Sequence, residues 1–137
     1  MLLLYVLFAF GDPLPGSPAI NLPAEKILQV IVDETGTVSV GRDTVNADNL
    51  AHYIQDRLFK SFMGTGQMQS KILFTKATGN VPELVVQVVI KEIQEGQFRA
   101  LKLLCLQRYN NFFEKIDRKK QEKLKKQFPV LFQIEYQ

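Results

Sequence analysis

Apolar and polar positions divide the chain into short elements. Ile27-Leu28-Gln29-Val30-Ile31-Val32 is rich in β-branched residues and predicts a strand. Asp33-Glu34-Thr35-Gly36 is a turn sequence, and Thr37-Val38-Ser39-Val40 alternates as a half-buried strand does, so the two predict a hairpin. Gly41-Arg42-Asp43 reads as a second turn. Asn46 or Asp48 can then cap a helix running to about Phe62, with Leu50, Ile54, Leu58 and Phe62 on one face. Met63 to Ser70 is a polar loop, and Lys71 to Thr75 a third strand. Pro82 suits the first turn of a second helix, expected to bury Leu84, Val85, Val88, Val89 and Ile93 and to stop at Gly96. The apolar run Leu101 to Leu106, broken only by Lys102, predicts a central strand over 98–106. A third helix is expected over 109–127, with Phe112, Phe113, Ile116 and Leu124 as its apolar stripe, and a last strand over 130–136. The expected fold is α+β: a single mixed β-sheet with two helices packed on one face, plus a C-terminal basic helix and a final strand.

The start of the chain is different in kind. Met1 to Phe10 reads MLLLYVLFAF, without a charge. A spanning helix needs about 20 apolar residues, so this stretch is about half a span. It is expected to be the end of a transmembrane helix; a degenerate signal or anchor and an ordinary buried segment are the alternatives. Gly11 to Pro23 holds four prolines in thirteen residues and predicts an extended linker. The expected organisation is an apolar anchor over 1–10, a proline-rich linker over 11–25 and one domain over 26–137.

Composition narrows the function. The chain has 137 residues, 46% of them hydrophobic, which suits one domain with a core. The net charge is +3, yet Arg108 to Gln127 holds eight basic and three acidic residues, a local surplus of five, so the remainder is slightly acidic. That segment could meet phosphates of lipid or nucleic acid, but a solvated helix face is the plainer expectation, and no nucleic-acid partner is predicted. Cys105 is the sole cysteine and His52 the sole histidine, which excludes an intrachain disulfide and a cysteine metal cluster. His52 lies off the Leu50–Ile54–Leu58 face and is expected at the surface. Cys105, inside an apolar run, is expected to be an inert buried thiol. Asp33 and Glu34 read as turn residues, and Gly64-Thr65-Gly66 lacks the lysine and hydroxyl of a phosphate loop. No catalytic residue, metal site or cofactor is therefore expected.

One family fits the layout. An apolar stretch, a linker ending Ile20-Asn21-Leu22-Pro23-Ala24, and the hairpin Val30-Ile31-Val32-Asp33-Glu34-Thr35-Gly36-Thr37-Val38 resemble the ExbD/TolR family of biopolymer transport proteins. Asn49-Leu50 opens the first helix where that family has one. Ile72 to Val89 is similar to its next strand, turn and helix, with Ala77 and Val81-Pro82 in place. The last helix and strand resemble an extension found in some members. Two departures stand out: no residue of Met1 to Phe10 is acidic, so no proton-carrying aspartate can be matched, and Thr78 stands where the family has an acidic residue. The chain is expected to be a truncated product or a divergent member without proton coupling.

The resemblance implies a non-catalytic subunit of an inner-membrane complex driven by the proton-motive force. It implies a single-pass protein with its domain in the periplasm, forming a homodimer. Its partners would be an ExbB/TolQ-like channel subunit and a TonB/TolA-like force-transmitting protein. The segment Ile20, Asn21, Leu22 and Pro23 is the expected partner-binding strand, its free amides suited to pairing with a sheet. The alternative is a secreted or periplasmic binding module without a motor role.

Overall fold

A computed structural model describes residues 26–137. Strand β1 (Ile27–Val32) pairs antiparallel with β2 (Val38–Val40), which pairs antiparallel with β3 (Asp43–Val45). Helix α1 (Leu50–Thr65) follows a 3-10 turn at Ala47–Asn49 and leads to β4 (Lys71–Lys76), parallel to β1. Helix α2 (Glu83–Tyr109) is the longest element, at 27 residues. A 3-10 turn at Phe113–Lys115, helix α3 (Arg118–Gln127) and a 3-10 turn at Pro129–Leu131 lead to β5 (Glu135–Tyr136), parallel to β4. The strand order is β3-β2-β1-β4-β5, a mixed five-stranded sheet. The α+β class with one mixed sheet and helices on it is thus the observed one.

The period-2 pattern sets the two faces of the sheet. Leu28, Val30, Val32, Val38, Val40, Val45, Ile72 and Phe74 are buried beneath the helices, and Ile27, Gln29, Ile31, Leu73 and Thr75 lie half-buried or exposed on the other side. Leu50, Ala51, Ile54 and Leu58 of α1 complete the core together with Val89, Ile93, Ala100 and Leu104 of α2. The hairpin turn is fixed by Asp33, whose Oδ1 accepts from the Thr35 amide, the Thr35 hydroxyl and the Thr37 amide. Gly36, at φ 86°, supplies the left-handed residue this turn needs. Asn46 accepts from the Asp48 amide and caps the 3-10 turn ahead of α1, as its residue type predicts.

The second half departs from the sequence reading. No strand exists over 98–106; these residues continue α2 to Tyr109. The reason is visible in the spacing: Val89, Ile93, Gln97, Ala100, Leu101, Leu104 and Cys105 form one unbroken helical face, all buried. Gly96 is no stop. A Cβ there would stand 2.6 Å from Ile54 Cβ and 2.7 Å from the Ala51 carbonyl oxygen, so the glycine lets α2 cross close over α1. The stop is Asn110, at φ 54°, whose amide donates to the Leu106 carbonyl.

The shift in phase exposes Leu84 and Val88, which were expected inside, and buries Val86. The third helix starts at Arg118 rather than 109, because Asp117 caps it by accepting from the Lys120 amide. Phe112 and Phe113 therefore lie outside it, and Phe112 is exposed. The final strand shrinks from 130–136 to Glu135–Tyr136, and Val130 and Leu131 are buried in a 3-10 turn instead. The turn expected at Gly41-Arg42-Asp43 gives its last residue to strand β3. Gly41 and Arg42 form a two-residue hairpin loop, with Gly41 at φ 61°, that brings Asp43 opposite Val40.

Candidate functional site: the β3 edge and its groove

Among the described residues the sheet ends in β3 on one side and in β5 on the other. Beside β3 lies an open polar groove of about 600 Å³, floored by Arg42 to Asn46 and walled by Asn49 of the 3-10 turn and by His52, Tyr53 and Asp56 of α1. The pairing register explains the floor. Asp43 pairs with Val40 and shares its face, so its carboxylate meets α1, while Thr44 pairs with Ser39 and takes the open face.

Tyr53 is the centre of the site. Its hydroxyl donates to Asp43 Oδ2 and accepts from Arg57 Nη1 at 2.9 Å, and Arg57 stands 3.9 Å from the same Asp43 oxygen. Burial pushes the Tyr53 phenol above its ordinary value, the bond to Asp43 adds to this, and Arg57 works against it. The phenol therefore stays a donor at neutral pH and fixes the Asp43 carboxylate at the lip of the groove. On the rim, Asp56 Oδ2 lies 3.3 Å from His52 Nε2 and 3.3 Å from Lys60 Nζ. These pairs are largely solvated and each contributes about 0–1 kcal/mol, so they shape the charge of the groove rather than hold the fold.

The groove sets a strand edge beside the Asp43 and Asp56 carboxylates, the His52 imidazole and the Arg42 guanidinium. Such a set can hydrogen-bond an extended peptide and favour basic or amide side chains on it. Among the described residues no group of three or more His, Cys, Asp or Glu could hold a metal ion.

The residues singled out from sequence scatter. Ile20, Asn21, Leu22 and Pro23 lie outside the described residues, as do Met1 to Phe10. His52 is exposed, on the groove rim. Cys105 is buried and its thiol is pushed up, by burial first and by Glu114 second, with Arg108 opposing. Asp33 is a turn residue, and the Thr35 hydroxyl and Thr37 amide hold its carboxyl below the ordinary range.

The basic segment is not one helix. Arg108 closes α2, where its guanidinium lies 5.3 Å from the Phe128 ring centre and 5.9 Å from that of Phe62 and donates to Gln127. The lysines of α3 are exposed around one buried residue, Leu124. Asp43, Tyr53, Arg57 and Asp56 were not marked by the sequence. Asp43 looked like a turn residue, and only the i, i+4 spacing of Tyr53 and Arg57 hinted at a pair. Among the described residues no helix is long and apolar enough to cross a membrane. Neither the protein-family models nor the curated proteins contain a match to this chain.

Proposed function

We propose that this chain is a non-catalytic binding subunit of an inner-membrane, proton-motive-force-driven complex of the ExbD/TolR kind. In this reading Met1–Phe10 anchors it, the linker 11–25 spaces it from the bilayer, and the domain works in the periplasm by protein contacts. The observation that carries the binding role is the β3 edge beside a groove lined by Asp43, Tyr53, His52 and Asp56. An extended segment of a TonB/TolA-like protein would add to that edge, with backbone bonds giving affinity and the carboxylates selecting polar or basic side chains. The motor assignment is supported by the element order over residues 27–94, a hairpin, a helix, a strand parallel to β1 and a second helix, taken together with Asn21-Leu22-Pro23.

The segment Ile20 to Pro23 is assigned to strand pairing with a second copy or with the force-transmitting protein. Ile20 and Leu22 are two apart, so both would point to one face of such a strand. Leu22→Pro removes one amide and one apolar anchor, and is expected to weaken partner binding while the domain stays folded.

The test is fractionation of a Gram-negative cell producing the full chain beside an ExbB/TolQ-like channel subunit. The expected result is a carbonate-resistant inner-membrane protein, with its domain exposed to periplasmic protease, that co-purifies with the channel subunit. A freely soluble periplasmic protein would overturn the motor reading and leave the binding module without a motor.

A further inference from the structure

The outward line of α2 carries a pattern that the core does not use. Leu84, Val88, Lys91, Glu95, Phe98 and Lys102 recur at intervals of four and three, and all six are exposed. At 3.6 residues per turn they fall within about 40° of one line, on the side of the helix opposite Ile93 and Leu104. Leu84 is 74% exposed, Val88 47% and Phe98 51%. Single exposed apolar residues are ordinary; their arrangement here is not.

Read backwards from the level of Ile93, the line is its own complement. Leu84 falls opposite Lys102, Val88 opposite Phe98, and Lys91 opposite Glu95. We infer that α2 pairs antiparallel with α2 of a second copy of this chain, about a two-fold axis at the level of Ile93. A two-fold contact uses the same patch twice, so each Val88 would meet a Phe98 and each Lys91 a Glu95. Lys91 has no carboxylate partner among the described residues. Glu95 Oε2 accepts from Arg99 Nε at 2.8 Å, which leaves Oε1 as a second acceptor for the incoming lysine. The Lys102 ammonium lies 5.6 Å from the Phe98 ring centre, and its methylene stem is the surface offered to Leu84.

A second observation points to the same occupant. At the C-terminal end of the line an apolar cleft of about 160 Å³ is lined by Phe98, Leu101, Phe112 and Phe113, with Lys102 and Glu114 at its rim. Leu84, the most exposed apolar residue of α2, stands fourteen to eighteen positions away, about 21–27 Å along the axis. The antiparallel arrangement delivers Leu84 of the second copy to the mouth of this cleft, and the two-fold repeats the contact at the other end. The charges at the centre of the line disfavour a lipid surface, which would leave Lys91 without a counter-charge. One helix pair is a small interface, so the dimer is concentration-dependent. The inference rests on α2 alone and stands or falls independently of the motor assignment.

The experiment is a concentration series in the analytical ultracentrifuge with the full chain in mild detergent. The parent is expected to dimerise. K91E and E95K each place like charges together twice, and should weaken association about tenfold or more; the double variant K91E/E95K restores the opposite pairing and should recover most of it. L84S touches no ion pair and should also weaken association. Circular dichroism should show the same helix content throughout, because all three positions are exposed. A parent that stays monomeric, association unchanged by the single reversals, or a double variant no better than the singles would each overturn the inference.

Discussion

Residues 27–76 and residues 83–137 are held in place by different means. In the first region the turns and the entry to α1 are set by single residues acting locally: Asp33 and Gly36 in the hairpin turn, Gly41 in the next, Asn46 ahead of α1. In the second, one helix runs through a glycine for 27 residues, and the chain beyond it is tied down from a distance. Gln97, 97 positions along and almost fully buried, donates from Nε2 to the Val130 carbonyl at 2.7 Å and to the Gln133 carbonyl at 2.9 Å. Arg108 packs over Phe62 and Phe128. Local bonds between neighbours can be read one residue after another. Contacts between residues about thirty apart cannot, and they decide the shape of the second region.

The contact most able to break this contrast is Gly96 against Ile54. Gly96→Leu should cost about 3 kcal/mol of stability, because overpacking a close helix crossing forces the two helices apart. Gly96→Ala gains about 1 kcal/mol of helix propensity but sets its methyl against a backbone oxygen, so a net loss is still expected. Urea unfolding of the variants measures both. If Gly96→Ala stabilises the protein, the close crossing is wrong.

Next in size is Gln97→Ala. It leaves two carbonyls of the C-terminal segment without their donor, at a cost of about 1–3 kcal/mol. Amide exchange should quicken over residues 130–137 and stay unchanged in β1 and β2. Uniform quickening across the domain would show that the C-terminal segment is no separate unit.

The smallest effect belongs to the hairpin. The Asp33 carboxyl sits below its ordinary range when folded, so its bonds contribute at pH values above that range and are lost as pH falls through the lowered folded value. Asp33→Asn should lower the thermal midpoint at neutral pH by less than either change above. The gap between variant and parent should close as the medium is acidified. A gap that widens in acid would contradict the turn bonds described here.

The same contrast explains what was legible in the sequence. The strands at 27–32 and 71–75, the hairpin and the first helix were visible because apolar spacing and turn residues agreed there. The run Leu101 to Leu106 misled because a short apolar run fits a buried strand as well as a buried helix. The arbiter was the continuity of Ile93, Gln97, Ala100 and Leu104, and that was hidden by Gly96, whose role depends on Ile54 more than forty residues earlier. The candidate site was less legible still. Asp43 and Tyr53 are ten residues apart and meet only because β3 folds back on β2. Nothing in their spacing announces a groove.

The central claim is that this domain works by accepting an extended partner at the β3 edge. Its most direct test is amide chemical-shift mapping of the full chain, in detergent, titrated with the periplasmic region of a TonB/TolA-like protein. The account predicts saturable shifts at Arg42 to Asn46, His52 and Tyr53, weakened by Asp43→Lys with the fold intact. Shifts confined to the lysines of α3, or none at saturating partner, would contradict it.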